Sequence, residues 1–115
     1  METNQEKTAN ALVLMPEGRL DFGAAAEFQA ALENGVAEAS GAGLAIIVDC
    51  AKLDYVSSAG LRSFLVGART AREKNVGFHV CSLVPGVAEV FKVSGFGQII
   101  PPLADRAAAE AAVAS

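Results

Sequence analysis

Tryptophan is missing from the 115 residues, and tyrosine and histidine occur once each. So few aromatic platforms leave little on which to stack bases or sugars. Positive charge is also short: nine Lys+Arg stand against thirteen Asp+Glu, a formal net charge of −4. Nucleic-acid binding needs a concentrated basic footprint, so no nucleic-acid partner is expected. Arg62, Arg69, Arg72 and Lys74 do cluster, and on an acidic chain they are expected to form the solvated side of a helix. Long apolar runs are absent, none approaching the ~18 residues of a membrane span. The opening Met1-Glu2-Thr3-Asn4-Gln5-Glu6-Lys7 lacks the basic start and apolar segment of a signal peptide. A cytoplasmic protein with no membrane partner is the expectation. Only Cys50 and Cys81 carry thiols, each at the end of a strand-like run and outside any CxxC spacing. They are expected to be small buried side chains rather than metal or redox groups.

What is present is the composition of one globular domain: 52% hydrophobic and 19% charged residues, mostly small or branched apolar side chains. Residues 1–10 have no periodicity and predict a polar tail or an edge strand, with the domain proper at 11–115. Ala11-Leu12-Val13-Leu14-Met15 predicts a strand ended by Pro16-Glu17-Gly18. Arg19-Leu20-Asp21 leads into a helix over about 23–39, with Asp21 as its cap and Phe28, Ala31, Leu32, Val36 and Ala39 as its buried stripe. Asn34-Gly35 inside that stripe is a turn signal and predicts a weaker stretch of helix. Gly41-Ala42-Gly43 predicts a flexible joint before a central strand at 44–50. Further strands are predicted at 76–81 and at Gln98-Ile99-Ile100, with a short helix from Pro85 to Ser94 and an Ala-rich closing helix over 103–114. Strands alternating with helices predict an α/β layer domain, its sheet mostly parallel and its crossovers right-handed.

The chain is organised around Asp54-Tyr55-Val56-Ser57-Ser58-Ala59-Gly60-Leu61. An apolar strand leads towards it, and Leu61, Phe64, Leu65, Ala68 and Ala71 lead away at helical spacing. Two hydroxyls therefore stand where a loop becomes a helix, beside unpaired backbone N–H groups. They either cap the helix or mark the place where a charge is added.

Catalytic patterns are poorly represented. Ser58, His79 and Asp49 could be assembled as a triad on paper, but Val56 occupies the place of the first glycine of a nucleophile elbow. Gly41-Ala42-Gly43 precedes a strand and no Gly-Lys-Ser/Thr follows, so a P-loop is excluded. Cys50, His79 and Cys81 lack zinc spacing, and nothing pairs Asp49 and Asp54 as acid and base. An enzyme is not expected, nor a metal or cofactor. A phosphoryl group on Ser57 or Ser58, by contrast, would add about −1.5 to −2 charges beside a helix N-terminus that tolerates them.

Several segments in order resemble the anti-sigma factor antagonists, single-domain members of the STAS fold. Gly18-Arg19-Leu20-Asp21 is similar to that family's Gly-x-Leu-Asp turn. Leu44 to Asp49 and Leu53 to Val56 are similar to its central strand and switch approach, and Ser57-Ser58-Ala59-Gly60-Leu61 to its Asp-Ser-Ser/Thr-Gly-Leu motif. Pro85-Gly86-Val87, Val90-Phe91 and Ser94-Gly95-Phe96 resemble the segments around its third helix. The resemblance implies a STAS-like α/β domain whose mixed, mostly parallel sheet carries packed helices. It implies a non-enzymatic regulator that binds an anti-sigma factor, itself a serine kinase, until Ser58 is phosphorylated, and a serine phosphatase that restores binding. The partner surface implied by the motif comprises Asp21, Asp54, Ser57, Ser58, Ala59, Gly60 and Arg62. Two positions depart from it: Ser57 stands where many members have aspartate, and Ala59 where many have serine or threonine. A constitutive scaffold or transporter-associated subunit, and a nucleotide or small-molecule module using the helix N-terminus, are the alternatives.

Overall fold

The apolar runs in the first half of the chain do not alternate with polar residues, so their strands must be covered on both faces. The computed structural model describes residues 1–114 and shows how. A four-stranded sheet has the order β1 (Thr3–Lys7), β2 (Ala11–Pro16), β4 (Ala45–Asp49), β6 (Phe78–Cys81). The β1–β2 pair is antiparallel, whereas β2–β4 and β4–β6 are parallel. Leu12, Leu14, Ile46, Val48 and Val80 point to one face and Ala11, Val13, Ile47 and Cys81 to the other, as the two-residue period of a strand requires.

Three helices cover the first face: α1 (Phe22–Ala42), α2 (Ser58–Glu73) and α3 (Pro85–Ser94). Phe28, Phe64, Phe91 and Phe96 join them in a chain of edge-on and tilted rings, with centroids 4.9, 5.4 and 5.0 Å apart in that order. The second face is covered by α5 (Arg106–Ala114), which buries Ala109 against the sheet. A second, two-stranded parallel sheet pairs β3 (Gly18–Leu20) with β5 (Leu53–Val56).

Four details differ from the sequence expectation. Gly35 does not loosen α1: a Cβ there would stand 3.0 Å from Leu14 Cδ1 and 3.6 Å from Ile46 Cδ1, so the missing side chain lets the helix settle onto the sheet. The joint at 41–43 is instead the end of α1, where Gly43 takes φ 70° and its N–H donates to the Ala39 carbonyl. Residues 53–56, expected as a loop approach, are strand β5, because Gly18–Leu20 offers them a parallel partner. Gln98-Ile99-Ile100 is not a strand. Gly95 turns the chain at φ 81° into a one-turn helix, α4 (Phe96–Ile99), anchored by buried Phe96, and the sheet edge is met only later, by Leu103 opposite Cys81.

A candidate partner-binding surface at the start of α2

Val56 is buried and ends β5, fixing the direction in which the chain leaves the small sheet. Ser57 then takes an extended conformation, φ −87° and ψ 172°, and its N–H donates to the Leu20 carbonyl at 2.8 Å. Its hydroxyl accepts the Gly60 N–H at 3.1 Å, and its carbonyl accepts the Leu61 N–H at 2.8 Å. Ser57 is therefore the N-cap of α2. Gly60 is required by proximity: a Cβ would lie 2.5 Å from Leu20 Cγ and 2.8 Å from the Leu20 carbonyl oxygen. The first turn of α2 is thereby held hard against β3.

Ser58 is the first residue of the helix and is exposed, and its hydroxyl has no hydrogen-bond partner among the described residues. The structure thus gives the neighbouring serines different surroundings, one engaged in the cap and the other free in solvent. Ala59 is half-buried behind them, and Arg62 is exposed one turn along.

Leu20 brings a second helix start to the same place. Asp21 follows it and caps α1, accepting the Ala24 N–H at 3.0 Å. Phe22, next in the chain, is 84% exposed. Asp54 is exposed on β5 beside Tyr55, whose ring lies under the Arg19 guanidinium, 4.2 Å from its centroid. On the other side of Ser58 a depression of about 290 Å³ is lined by Leu61, Arg62, Leu65, Phe96 and Ile99. The exposed large apolar side chains are Phe22, Tyr55, Val93 and Ile99. Ile99 lines the depression beside Ser58, Val93 precedes Ser94 in the same lining, and Phe22 opens α1 one residue after the Asp21 cap. Apolar exposure concentrated around polar groups is the anatomy of a docking surface.

The sequence patterns do not single out Phe22 or Ile99 as surface groups, and they include Tyr55 only as part of the organising stretch. Phe22 had a visible signal, since it stands outside the spacing of the Phe28 stripe. Ile99 was masked by the strand expected at 98–100. The other candidate groups lie elsewhere. Cys50 and Cys81 are fully buried, and burial pushes both thiols up. His79 is half-buried on β6, where burial pushes its imidazole down. No group of three or more His, Cys, Asp or Glu side chains among the described residues is placed to hold a metal. No described helix is long and apolar enough to cross a membrane.

The STAS domain model matches residues 2–109, nearly the whole chain. The protein belongs to the STAS domain family. This STAS domain is 45% identical over 67 residues to BtrV of Bordetella bronchiseptica, a protein assigned as an anti-sigma factor antagonist. That alignment covers 58% of each chain, so the match spans rather more than half of BtrV. Among solved structures, an anti-sigma factor antagonist from Mycobacterium paratuberculosis superposes with a TM-score of 0.83, at 22% identity over 99% of this chain and 94% of that one. The antagonist SpoIIAA superposes in its unphosphorylated form with a TM-score of 0.70, at 22% identity over 88% of this chain and 87% of that one. The phosphorylated form of SpoIIAA, the Bacillus cell-fate determinant, gives 0.66 at 21% identity over 96% and 99%. At these identities the superpositions establish the STAS fold.

Proposed function

We propose that this STAS domain is a non-enzymatic, cytoplasmic anti-sigma factor antagonist whose binding to an anti-sigma factor/serine kinase is controlled by phosphorylation of Ser58. The observation that carries this reading is the division of labour at the start of α2. Ser57 caps the helix through Gly60, and Ser58 presents an unengaged hydroxyl to solvent. A phosphoryl group on Ser58 would sit at the positive end of a helix of sixteen residues, so the fold would tolerate it. A partner docked over Ile99 and the Ser58 depression would not. Placing like charges together at an interface costs several kcal/mol, enough to weaken binding by ~100-fold. The relatedness to BtrV and the phosphorylated state of SpoIIAA support the same reading. Asp21 and Asp54 lie on the surface the partner would read, and a serine phosphatase would reset it.

Incubation with the cognate anti-sigma kinase and ATP, followed by mass spectrometry, is expected to place the phosphate on Ser58. Ser58→Asp is expected to weaken binding of that kinase by ~100-fold in calorimetry while leaving the thermal midpoint unchanged. Phosphate found solely elsewhere, or full-strength binding by Ser58→Asp, would remove Ser58 from the role. One observation favours a second reading, constitutive binding: Ser57 stands where many antagonists carry aspartate, and unchanged affinity after phosphorylation would select it.

A further inference from the structure

Beyond the Ser58 depression the same face continues into a larger groove. A space of about 640 Å³ lies between the C-terminal half of α2, the start of β6 and α4, with Leu65, Arg69, Arg72, Val76, Phe78 and Ile99 in its walls. Leu65 and Ile99 also line the Ser58 depression, so the two hollows adjoin along α2 and are described together as one channel.

Its charge is opposite to that of the molecule. The chain carries a net −4, yet the walls of the channel hold Arg62, Arg69 and Arg72 and no carboxylate. Those three arginines follow one helix face at spacings of seven and three, and none has an ion-pair partner among the described residues. Between them the floor is apolar. The far wall is β6, the last strand of the four-stranded sheet, whose outer side is met only at the Leu103 bridge to Cys81 among the described residues. Phe78 lies before that bridge, where a sheet edge is open to an added chain.

The geometry points to an occupant of defined chemistry: an extended segment alternating acidic and apolar residues, supplied by the partner that reads Ser58. This inference rests on the proposed function and adds the path of the partner's chain, from Ser58 to the β6 edge. Acidic side chains meet Arg69 and Arg72, apolar ones fill the floor between Leu65 and Phe78, and the backbone runs beside β6. The electrostatic part makes binding selective for acidic segments and sensitive to salt.

The test needs no kinase. A short fluorescein-labelled peptide alternating glutamate with leucine is titrated into the full chain, with a lysine-for-glutamate peptide as control, and the ¹⁵N-labelled protein is mapped by NMR. Saturable binding that shifts the amides of Arg69, Arg72, Val76 and Phe78 is expected. It should weaken by about tenfold or more in the Arg69→Glu/Arg72→Glu double variant. Both arginines are exposed, so that variant should retain a folded spectrum, and the milder Arg69→Gln/Arg72→Gln pair serves if it does not. Equal binding of the lysine peptide, shifts confined to other faces, or no binding would overturn the inference. So would ATP shifting these amides where the peptide does not, which marks a small-anion site, or sedimentation showing a dimer that occupies the groove. Because the phosphoswitch is tested with kinase and ATP, failure of the peptide test is distinguishable from failure of the proposed function.

Discussion

Gly60 and Leu20 are so close that a methyl group cannot be inserted between them without a shift, and the Ser57 cap closes onto the same Gly60. The added Cβ of Gly60→Ala would meet a backbone oxygen at 2.8 Å, which no rotamer change can relieve. At Gly67 the obstruction is the Leu32 side chain, with Cδ1 at 2.7 Å, which can move. One series of urea unfolding measurements separates these positions. Gly60→Ala is expected to cost about 2 kcal/mol and Gly67→Ala clearly less. Ser57→Ala should cost about 1 kcal/mol through the lost cap, and Ser58→Ala no more than about 0.5 kcal/mol. A Ser58→Ala cost as large as that of Ser57→Ala would show that the second serine is structural too.

Among the elements, β6 combines a half-buried histidine with the sheet edge. Its residues alternate, Val80 towards the helices and Cys81 towards α5, and His79 shares the side of Cys81 by the period of two. Burial lowers the His79 imidazole from its ordinary value of 6.5. The unfolded chain therefore takes up this proton at a higher pH than the folded one does. The contribution of neutral His79 to stability is complete above pH 6.5 and is lost as pH falls below it, until the folded imidazole is itself protonated. Urea midpoints measured from pH 8 down to pH 5 should fall less steeply in His79→Gln than in the parent chain. Parallel slopes would show that the imidazole titrates alike in the folded and unfolded states. At the same scale, the departures from sequence expectation share one cause. Whether 53–56 pairs and 98–100 does not depends on which partner edge is in reach, and local pattern is silent on that.

Across the whole molecule, the weakest attachment is α5. Its face is mostly alanine, with Ala109 alone buried among its residues, yet it must shield Ala11, Val13, Ile47 and Cys81. Arg106 makes up for the thin packing. Its guanidinium reaches Glu6 of β1 at 2.6 Å and Asp49 at the end of β4 at 3.4 Å, with Glu110 one turn along its own helix at 3.9 Å. One side chain thus ties the closing helix to two strands far apart in sequence. Arg106→Gln is expected to cost about 1 kcal/mol at low salt and less at high salt. Hydrogen exchange should show the amides of α5 opening while those of β4 stay protected. Unchanged α5 protection would assign its docking to the apolar contacts alone.

Local pattern was enough for the α/β class, the main strands and helices, the Asp21 cap, the burial of the two thiols and the loop-to-helix junction at Ser57-Ser58. These follow from periodicity, cap chemistry and side-chain polarity, which act within a few residues. That Gly35 and Gly60 are contact points emerges from the packed fold alone, since their meaning lies in Leu14, Ile46 and Leu20 across the core. It alone paired β3 with β5, turned residues 96–99 into helix α4 and set Ile99 beside Ser58. Of the two hydroxyls at the junction, the geometry assigns one. Ser57 is bound in the cap, because its hydroxyl lies over the Gly60 N–H, and Ser58 stands one residue further on with its hydroxyl in solvent.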